Sequence, residues 1–266
     1  MITARDLEDS VAAMLAARAR RQALKRLPPD GTPLSLDDAY AIQEAFVEAF
    51  VREYKTRVIG YKIGCASKES QALVGASGPF AARIFSPTRF DSPAAIQARD
   101  FFTLGVEAEF GFTMRAAVPP RHTPYERAEV AHAVGSVAPV IELCDTRLEK
   151  WKSARIEEII ADNGFHGGLV VGRPIEQWQR LDLAGQEAAL SIGGAVRARG
   201  TAAGSLGHPF DGMVWIANEL SRRGYGLAAG DIVATGTFTG LHSVHEPASI
   251  VADFGSMGRV DVEVRP

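Results

Sequence analysis

The 266-residue chain has little of what marks secreted, membrane-bound or nucleic-acid-binding proteins. Only two cysteines occur, Cys65 and Cys144, and their spacing is not that of a metal site, so we expect a reduced cytoplasmic protein. No apolar run approaches the roughly 20 residues needed to span a bilayer, and the first ten residues lack the apolar core of a signal peptide. The formal net charge of −3 gives no electrostatic reason to expect nucleic acid or a membrane surface as a partner.

The chain does have an ordinary globular composition, with 46% hydrophobic and 23% charged residues. Residues 7–25 are rich in Ala, Leu and Arg, which favour helix, and a break containing Pro and Gly follows at 27–35. Ser35 and Asp38 then resemble a capping box ahead of apolar residues at helical spacing. We therefore predict a small helical N-terminal cap over residues 1–57. Its basic residues are expected to form a solvated helix face: Arg18, Arg20, Arg21, Lys25 and Arg26.

From residue 58 onward, short apolar segments alternate with glycine-rich turns, which predicts strands. Helices are expected between them at about 124–134, 148–160 and 210–223. Few helices among many strands favour an α+β fold over a doubly wound sheet, and we expect residues 58–266 to form one domain. The predicted strands occupy the following segments: 57–64, 105–114, 136–143, 167–172, 188–194, 231–238, 249–254 and 259–265.

Two glutamates stand inside one of these apolar strand segments. Side chains alternate along a strand, so Glu107 and Glu109 share one face while their apolar neighbours share the other. Glu142 interrupts a second apolar strand, and a buried glutamate without a partner is costly. Three carboxylates from two strands form an oxygen-only ligand set, which Mg²⁺ or Mn²⁺ prefers. The alternative is that these glutamates face solvent from an exposed sheet.

Lys62 lies in another apolar strand segment, with Tyr61 and Ile63 on the opposite face. A lysine in this setting is either a charge on an edge strand or a buried functional ammonium. Burial lowers the pKa of a lysine and neighbouring carboxylates raise it, so a buried Lys62 is suited to donate a proton or to anchor a substrate.

The motifs together resemble a known family. In chain order they read VIGYKIG, GVEAEFGF, APVIELCDTR, ADNG, SLGHPFDGMVWIANEL and GDIVATGTFTG, and the likeness runs from about Asp37 to the C-terminal hairpin. This order is similar to that of the 2-hydroxypenta-2,4-dienoate (2-keto-4-pentenoate) hydratases. Their siblings are the 4-oxalocrotonate decarboxylases, within the fumarylacetoacetate hydrolase superfamily.

The resemblance implies a mixed β-roll of the fumarylacetoacetate hydrolase C-terminal type behind the helical cap, and a homo-oligomer. It implies one divalent metal held by Glu107, Glu109 and Glu142, and it places Lys62 in the pocket of a small 2-keto acid substrate. The implied reaction adds water to a 2-hydroxy-2,4-dienoate and gives a 4-hydroxy-2-keto acid, in aromatic-compound catabolism. In that reaction a Lewis-acid metal stabilises an enolate, and Lys62 is the candidate for moving a proton.

The chain departs from the family pattern at two polar positions. Phe165 follows the ADN motif at 161–163 where relatives carry a small polar residue, and Phe80 stands where relatives often carry an acid. Either Phe80 and Phe165 contact a substrate that is bulkier and less polar at that end, or the machinery for hydration is lost. His166 is a candidate replacement acid or base, because histidine titrates near neutral pH, and the alternative is a surface histidine.

Two further residues complete the expected substrate pocket. Arg147 follows Glu142 closely, so it is a candidate to bind an acid group of the substrate or to support the carboxylates structurally. The glycines of the segment 236–240 (GTFTG) allow close approach of the backbone, and Thr237 offers a hydroxyl to a substrate carboxylate.

Several functions stay open. Hydratases and decarboxylases share these motifs, so a metal-dependent 2-keto acid decarboxylase is an alternative to a hydratase. A metal-binding, non-catalytic relative that acts as a structural partner is another. Hydrolysis is not expected, because the superfamily hydrolases pair a histidine with a glutamate upstream of the metal strands and no histidine precedes His122.

Overall fold

A computed structural model describes residues 2–266 of the chain. The helices are α1 (Ala4–Arg20), α2 (Leu36–Glu53), α3 (Lys68–Val74), α4 (Arg127–Ala133), α5 (Ile156–Ala161) and α6 (Pro209–Arg222). The strands are β1 (Val58–Gly64), β2 (Phe80–Phe85), β3 (Arg89–Asp91), β4 (Ala94–Gln97), β5 (Leu104–Met114), β6 (Val134–Asp145), β7 (His166–Val171), β8 (Glu187–Ile192), β9 (Ala195–Thr201), β10 (Ile232–Ala234), β11 (His242–Ser243), β12 (Ser249–Asp253) and β13 (Arg259–Arg265). None of the helices in this described range is long and apolar enough to cross a membrane.

Local sequence explains where the N-terminal helices begin. Ser35 and Asp38 form the predicted capping box at α2: the Ser35 hydroxyl accepts from the Asp38 N–H at 3.2 Å, and the Asp38 carboxylate accepts from the Ser35 N–H at 3.1 Å. Thr3 and Asp6 repeat the arrangement at α1. The first helix ends at Arg20, earlier than predicted, because Arg21 is left-handed with φ 55°.

The strands form two sheets. The larger has the order β2-β1-β10-β5-β6-β7-β3, with β11 added beside β5, and the smaller has the order β4-β13-β12-β8-β9. Each sheet contains both parallel and antiparallel pairs. Strands β2 and β7 lie far apart in sheet order yet contact each other, so the larger sheet curls into a roll. The predicted α+β class, mixed β-roll and N-terminal helices are confirmed.

Some predicted elements are wrong in place or length. The helix predicted at 148–160 is only α5, preceded by one 3₁₀ turn, because the chain at Leu148 pairs with Leu24 as an isolated bridge. The strand predicted at 231–238 ends at Ala234, where the chain leaves the sheet as a loop. Strands β2, β3, β4, β9 and β11 were not predicted, since most are short or lack a regular apolar alternation.

Three apolar cores hold these layers together. One lies between the two sheets and α6, and includes Phe110, Phe112, Phe210, Met213, Ile250 and Val260. A second fills the inside of the roll, with Ile84, Ala138, Val140, Leu169, Ile232 and Ala234. The third joins α1 and α2 to the roll, with Met14, Ile42, Phe46, Phe80, Phe85, Ile160 and Phe165. The division into domains at residues 57 and 58 stays a prediction.

Candidate active site

Strands β5 and β6 bring the three predicted carboxylates together at one end of the roll interior. Glu107 lies directly opposite Glu142 in the antiparallel register, and Glu109 lies opposite Val140, which belongs to the inner core. Glu109 and Glu142 are each 1% exposed, and Glu107 is half-buried. The alternative of a solvent-facing row is therefore wrong for Glu109 and Glu142.

The carboxylates lack the partners that their burial requires. Glu109 Oε2 accepts from the Gly236 N–H at 3.0 Å, but within residues 2–266 its Oε1 and the Oε2 of Glu142 are buried with no hydrogen-bond partner. Burial, and then repulsion from Glu142, raise the pKa of Glu107 to about 7. Burial, and then repulsion from Glu142 and Glu107, raise the pKa of Glu109. A divalent cation would satisfy these oxygens and offset the repulsion, so the residues fit a Mg²⁺ or Mn²⁺ ion.

Cys144 joins this group, which the sequence reasoning missed. Ligand atoms of Glu107, Glu142 and Cys144 lie within 4.8 Å of one another, and the Cys144 thiol donates to Glu107 Oε2 at 3.5 Å. Burial and then the neighbouring carboxylates raise the pKa of Cys144 well above its usual value, so the sulfur stays a neutral thiol and is a poor ligand for a hard cation. Its position two residues after Glu142 on a strand, hence on the same face, was the available signal.

Lys62 is a buried ammonium, since β1 lies between β2 and β10 and the residue is 4% exposed, and its function stays a prediction. The edge-strand alternative is therefore wrong. Its Nζ forms an ion pair with Glu142 Oε1 and donates to the Gly164 carbonyl at 2.9 Å. Burial opposes the charge of Lys62, but Glu142 and the other nearby acids outweigh it and raise its pKa. Lys62 is therefore a protonated group placed among the carboxylates.

Phe80 and Phe165 lie in the core under the N-terminal helices. The Phe80 ring covers Gly64 and Gly164, where a Cβ would approach it to 2.1 Å and 2.7 Å, and Phe165 meets Trp151 edge-to-face with ring centroids 6.5 Å apart. The Phe80 ring therefore packs against the turn whose Gly164 carbonyl accepts a hydrogen bond from Lys62. Their contact with substrate stays a prediction.

His166 is buried at 6% exposure, so the surface alternative is wrong. The Thr88 hydroxyl donates to the Phe85 carbonyl at 2.9 Å, and its oxygen lies within hydrogen-bond distance of His166 Nε2, at 2.7 Å. Burial and then the positive charges of Lys62 and Arg147 lower the pKa of His166 well below its usual value. The imidazole is therefore neutral, which suits a hydrogen-bond acceptor or base. Its catalytic role stays a prediction.

Arg147 is a fully buried anchor of the loop that carries Gly164. Its Nε donates to both Asp162 carboxylate oxygens at 2.9 and 3.0 Å, and its Nη1 donates to Asp145 at 3.3 Å and to the His166 carbonyl at 3.1 Å. Arg18 on α1 reaches the same Asp162 at 3.2 Å, so the prediction that Arg18 belongs to a solvated face is wrong. Contact between Arg147 and substrate stays a prediction, while its structural support is evident in these bonds.

Thr237 shapes the loop beside Glu109. Its hydroxyl oxygen accepts from the N–H groups of Thr239 at 3.2 Å and Gly240 at 2.9 Å. The neighbouring Gly236 has φ 97°, and a Cβ there would lie 2.3 Å from that of Ala66, so only glycine allows the amide to reach Glu109. A contact from Thr237 to a substrate carboxylate stays a prediction.

A curled mixed sheet of α+β class gathers three carboxylates, two of them buried, and a protonated lysine at one end, which is a set of groups typical of an enzyme active site. Comparison with known families agrees with this class. The family model described as the C-terminal part of fumarylacetoacetate hydrolase matches residues 65–265. The chain therefore belongs to the fumarylacetoacetate hydrolase C-terminal family of enzymes, as the order of motifs predicted.

Curated relatives match almost the whole chain. It is 30% identical over 250 residues to the 2-oxo-hept-4-ene-1,7-dioate hydratase of Escherichia coli, covering 92% of each chain. It is 29% identical over 257 residues to 2-keto-4-pentenoate hydratase 2 of Dechloromonas aromatica (strain RCB), covering 92% of this chain and 96% of the relative. Both names are those of hydro-lyases.

Solved structures share the fold. The 4-oxalocrotonate decarboxylase from Pseudomonas putida G7, complexed with magnesium and adipate, superposes with a TM-score of 0.90, 22% identity and 99% coverage of both chains. The fumarylpyruvate hydrolase from Pseudomonas aeruginosa, in complex with Mn²⁺ and pyruvate, gives 0.61, 15% identity and coverage of 79% of this chain and 89% of that chain. The high coverage by the first includes the N-terminal helices.

Proposed function

We propose that this protein is a divalent-metal-dependent hydratase. It adds water to a 2-hydroxy-2,4-dienoate, or its 2-keto-4-enoate tautomer, and gives a 4-hydroxy-2-keto acid in aromatic-compound catabolism. The relatives at about 30% identity that carry hydratase names support this reaction type. We further propose a cytoplasmic homo-oligomer.

The observation that carries the proposal is the buried pair of Lys62 and Glu142, set beside carboxylate oxygens that lack partners. Removing two like charges from water without a counter-ion costs several kcal/mol per ion in a protein. An interior that tolerates this arrangement needs a cation or a proton, and Glu107, Glu109 and Glu142 are the residues that would hold the cation. Magnesium-, calcium- and manganese-containing neighbours support Mg²⁺ or Mn²⁺ as that cation.

When bound, such a cation would supply a Lewis acid toward the 2-oxygen and carboxylate of a 2-keto acid. The chain's own contribution begins with Lys62, whose Nζ holds a proton beside the carboxylates and can donate it to a carbon or oxygen of the substrate. Neutral His166 is the candidate to accept a proton or to orient water. The Phe80 and Phe165 rings exclude bulk water from the side that faces the N-terminal helices, and we propose that they favour an apolar substrate tail.

A product assay tests this function. Protein loaded with Mg²⁺ or Mn²⁺ is given 2-hydroxypenta-2,4-dienoate or 2-oxohex-3-enedioate, and the products are followed by ultraviolet absorbance and proton NMR. We expect a 4-hydroxy-2-keto acid to appear, and we expect a chelator or the Lys62→Met substitution to abolish its formation. Lys152→Met, on the exposed turn at 151–153, is the matched control and should keep full activity.

Other outcomes assign the protein differently. Chelator-sensitive release of CO₂ would identify a decarboxylase. No change in either substrate, with a melting temperature that Mg²⁺ still raises, would retain the metal site and refute the substrate. A metal-binding protein without turnover on any 2-keto acid would fit the non-catalytic alternative.

A further inference from the structure

We infer that Asn163 is a positioning residue that sets the place of the Lys62 ammonium through the carbonyl of Gly164. The inference rests on the proposed function of Lys62, but the geometry that leads to it does not involve substrate. It begins with an unusual turn between α5 and β7.

Three consecutive residues of this turn are left-handed: Asn163 with φ 53°, Gly164 with φ 61° and Phe165 with φ 57°. This conformation is unfavourable for residues that carry a Cβ, although asparagine tolerates it better than most. A Cβ on Gly164 would lie 2.7 Å from the Phe80 ring and 2.9 Å from the Cβ of Ala82. Such a run persists only where the surroundings hold it.

The Asn163 side chain provides one of the holds. Its Oδ1 accepts from the Arg83 N–H at 2.8 Å, and its Nδ2 donates to the Arg83 carbonyl at 2.9 Å, so it pairs with β2 as an extra strand residue would. Asp162, the preceding residue, is held from the other side by Arg147 and Arg18. Because Asn163 and Asp162 are both held by hydrogen bonds or ion pairs, the turn is fixed. Its Gly164 carbonyl lies 2.9 Å from Lys62 Nζ.

The Lys62 ammonium has two partners, the Gly164 carbonyl and the Glu142 carboxylate. Lys62 forms an ion pair with Glu142, which is also one of the proposed metal ligands. Without the carbonyl, the ammonium would be drawn wholly onto the carboxylates and would compete with a cation for them. Asn163 therefore influences both the affinity for a divalent cation and the direction in which Lys62 presents its proton.

Asn218 offers a matched control. Its Oδ1 accepts from the Tyr125 N–H at 2.7 Å and its Nδ2 donates to the Tyr125 carbonyl at 3.1 Å, so it makes the same pair of bonds on α6, outside the proposed site. Asn163→Ala removes two side-chain to backbone bonds. Asn218→Ala removes the matching pair and a third bond, from Nδ2 to the Val214 carbonyl at 3.0 Å, so it is the stricter control for stability. If Asn163 had a purely structural role, both variants would melt earlier and neither would change its affinity for Mg²⁺.

We expect both variants to melt earlier than the wild type but only one to change the site. In Asn163→Ala, the kcat for the proposed hydration should fall about tenfold while KM changes less than about threefold. Calorimetric affinity for Mg²⁺ alone should fall about fivefold in Asn163→Ala and stay within about twofold in Asn218→Ala. In a crystal structure of Asn163→Ala, Lys62 Nζ should lie beyond hydrogen-bond distance of the Gly164 carbonyl.

A second background shows whether the effect passes through Lys62. In Lys62→Met protein, adding Asn163→Ala should change Mg²⁺ affinity by less than about twofold. The inference is overturned if the fivefold loss persists there, or if Lys62 keeps its bond to Gly164 in Asn163→Ala. Absence of hydration by the wild type would refute the proposed function instead, because the Mg²⁺ and crystallographic results need no substrate.

Discussion

At the scale of single residues, the buried carboxylates should lower the free energy of unfolding when no cation is bound. Glu109 accepts one hydrogen bond through Oε2, and its other oxygen has no partner in the described chain. In Glu109→Gln the amide oxygen can still accept from the Gly236 N–H, while the charge and its repulsion with Glu107 and Glu142 disappear. We expect Glu109→Gln to be more stable than the wild type by about 1–3 kcal/mol in a chelator.

Urea unfolding measures this difference, and Mg²⁺ should reverse it. A ligand that binds only the folded state stabilises it by about 2.7 kcal/mol at 100 times its Kd, and Glu109→Gln should lose much of that gain. Glu149→Gln, an exposed carboxylate, serves as the control. A Glu109→Gln protein that gains as much from Mg²⁺ as the wild type would remove Glu109 from the ligand set.

The sequence predicted the chemical types of the site residues better than it predicted the contacts that surround them. Alternation along β5 predicted that Glu107 and Glu109 share one face, but it left open whether that face is buried, and the structure buries Glu109 and Glu142. The contact between Cys144 and Glu107, and that between Lys62 and the Gly164 carbonyl, depend on how distant segments cross. No local pattern encodes such crossings, so a buried His166 looked like a loop histidine.

At the scale of elements, α1 is tied to the turn that carries Gly164. The Arg18 guanidinium lies 4.2 Å from the Phe46 ring centroid, bonds the Met14 carbonyl at 3.0 Å and reaches Asp162 at 3.2 Å. The side chain is only 15% exposed, so removing it leaves part of the Asp162 charge uncompensated. We expect Arg18→Ala to lower the free energy of unfolding by about 2–3 kcal/mol.

Arg20 on the same helix is exposed, so Arg20→Ala should stay within about 0.5 kcal/mol of the wild type in the same urea experiment. Equal losses in the two variants would mean that the Arg18 contacts add nothing beyond helix propensity. The sequence could not separate Arg18 from Arg20, because both belong to one basic cluster and only the path of the chain at Asp162 distinguishes them.

The stability of the protein should depend on pH through Asp38, which lies in the first turn of α2. Hydrogen bonds from the Ser35 side chain and the Ile2 N–H lower the pKa of Asp38 to about 2. The folded pKa lies below the unfolded value of 3.8, so the contribution of Asp38 is complete above about pH 4 and is lost as the pH falls toward 2. We expect the stability gap between the wild type and Asp38→Asn to be widest above about pH 4 and to shrink toward pH 2.

Urea midpoints measured at intervals between pH 2 and pH 7 test this expectation. Asp37→Asn changes the exposed neighbour in the same first turn and shows the ordinary effect of removing a carboxylate there. An Asp38→Asn gap that stays constant down to pH 2 would mean that the cap bonds do not depend on the charge of Asp38.

At the scale of the whole molecule, the sequence predicted the fold class, the N-terminal helices and most of the long strands. These elements carry strong periodic patterns or matched motifs, and their packing agrees with those patterns. The sequence did not predict the short strands β3, β4 and β11 or the exposed edge strand β9, because these strands depend on pairing with other segments of the chain. The curl that brings β2 to β7 is likewise a property of the assembled sheet.

One core crosses the predicted boundary at residues 57 and 58. Met14 and Phe46 from the helices pack with Phe80, Phe85 and Phe165 of the roll. A chain of residues 58–266 alone would expose those rings, and burying a side chain of this size contributes about 1.5–3 kcal/mol. We expect the truncated chain to lose near-ultraviolet circular dichroism, to bind an apolar dye and to aggregate, whereas the full chain does none of these.

If residues 58–266 instead unfold in one cooperative transition and bind Mg²⁺ as the full chain does, the roll is an independent domain. In that case the N-terminal helices would not be needed to hold Lys62 and the turn at Gly164 in place.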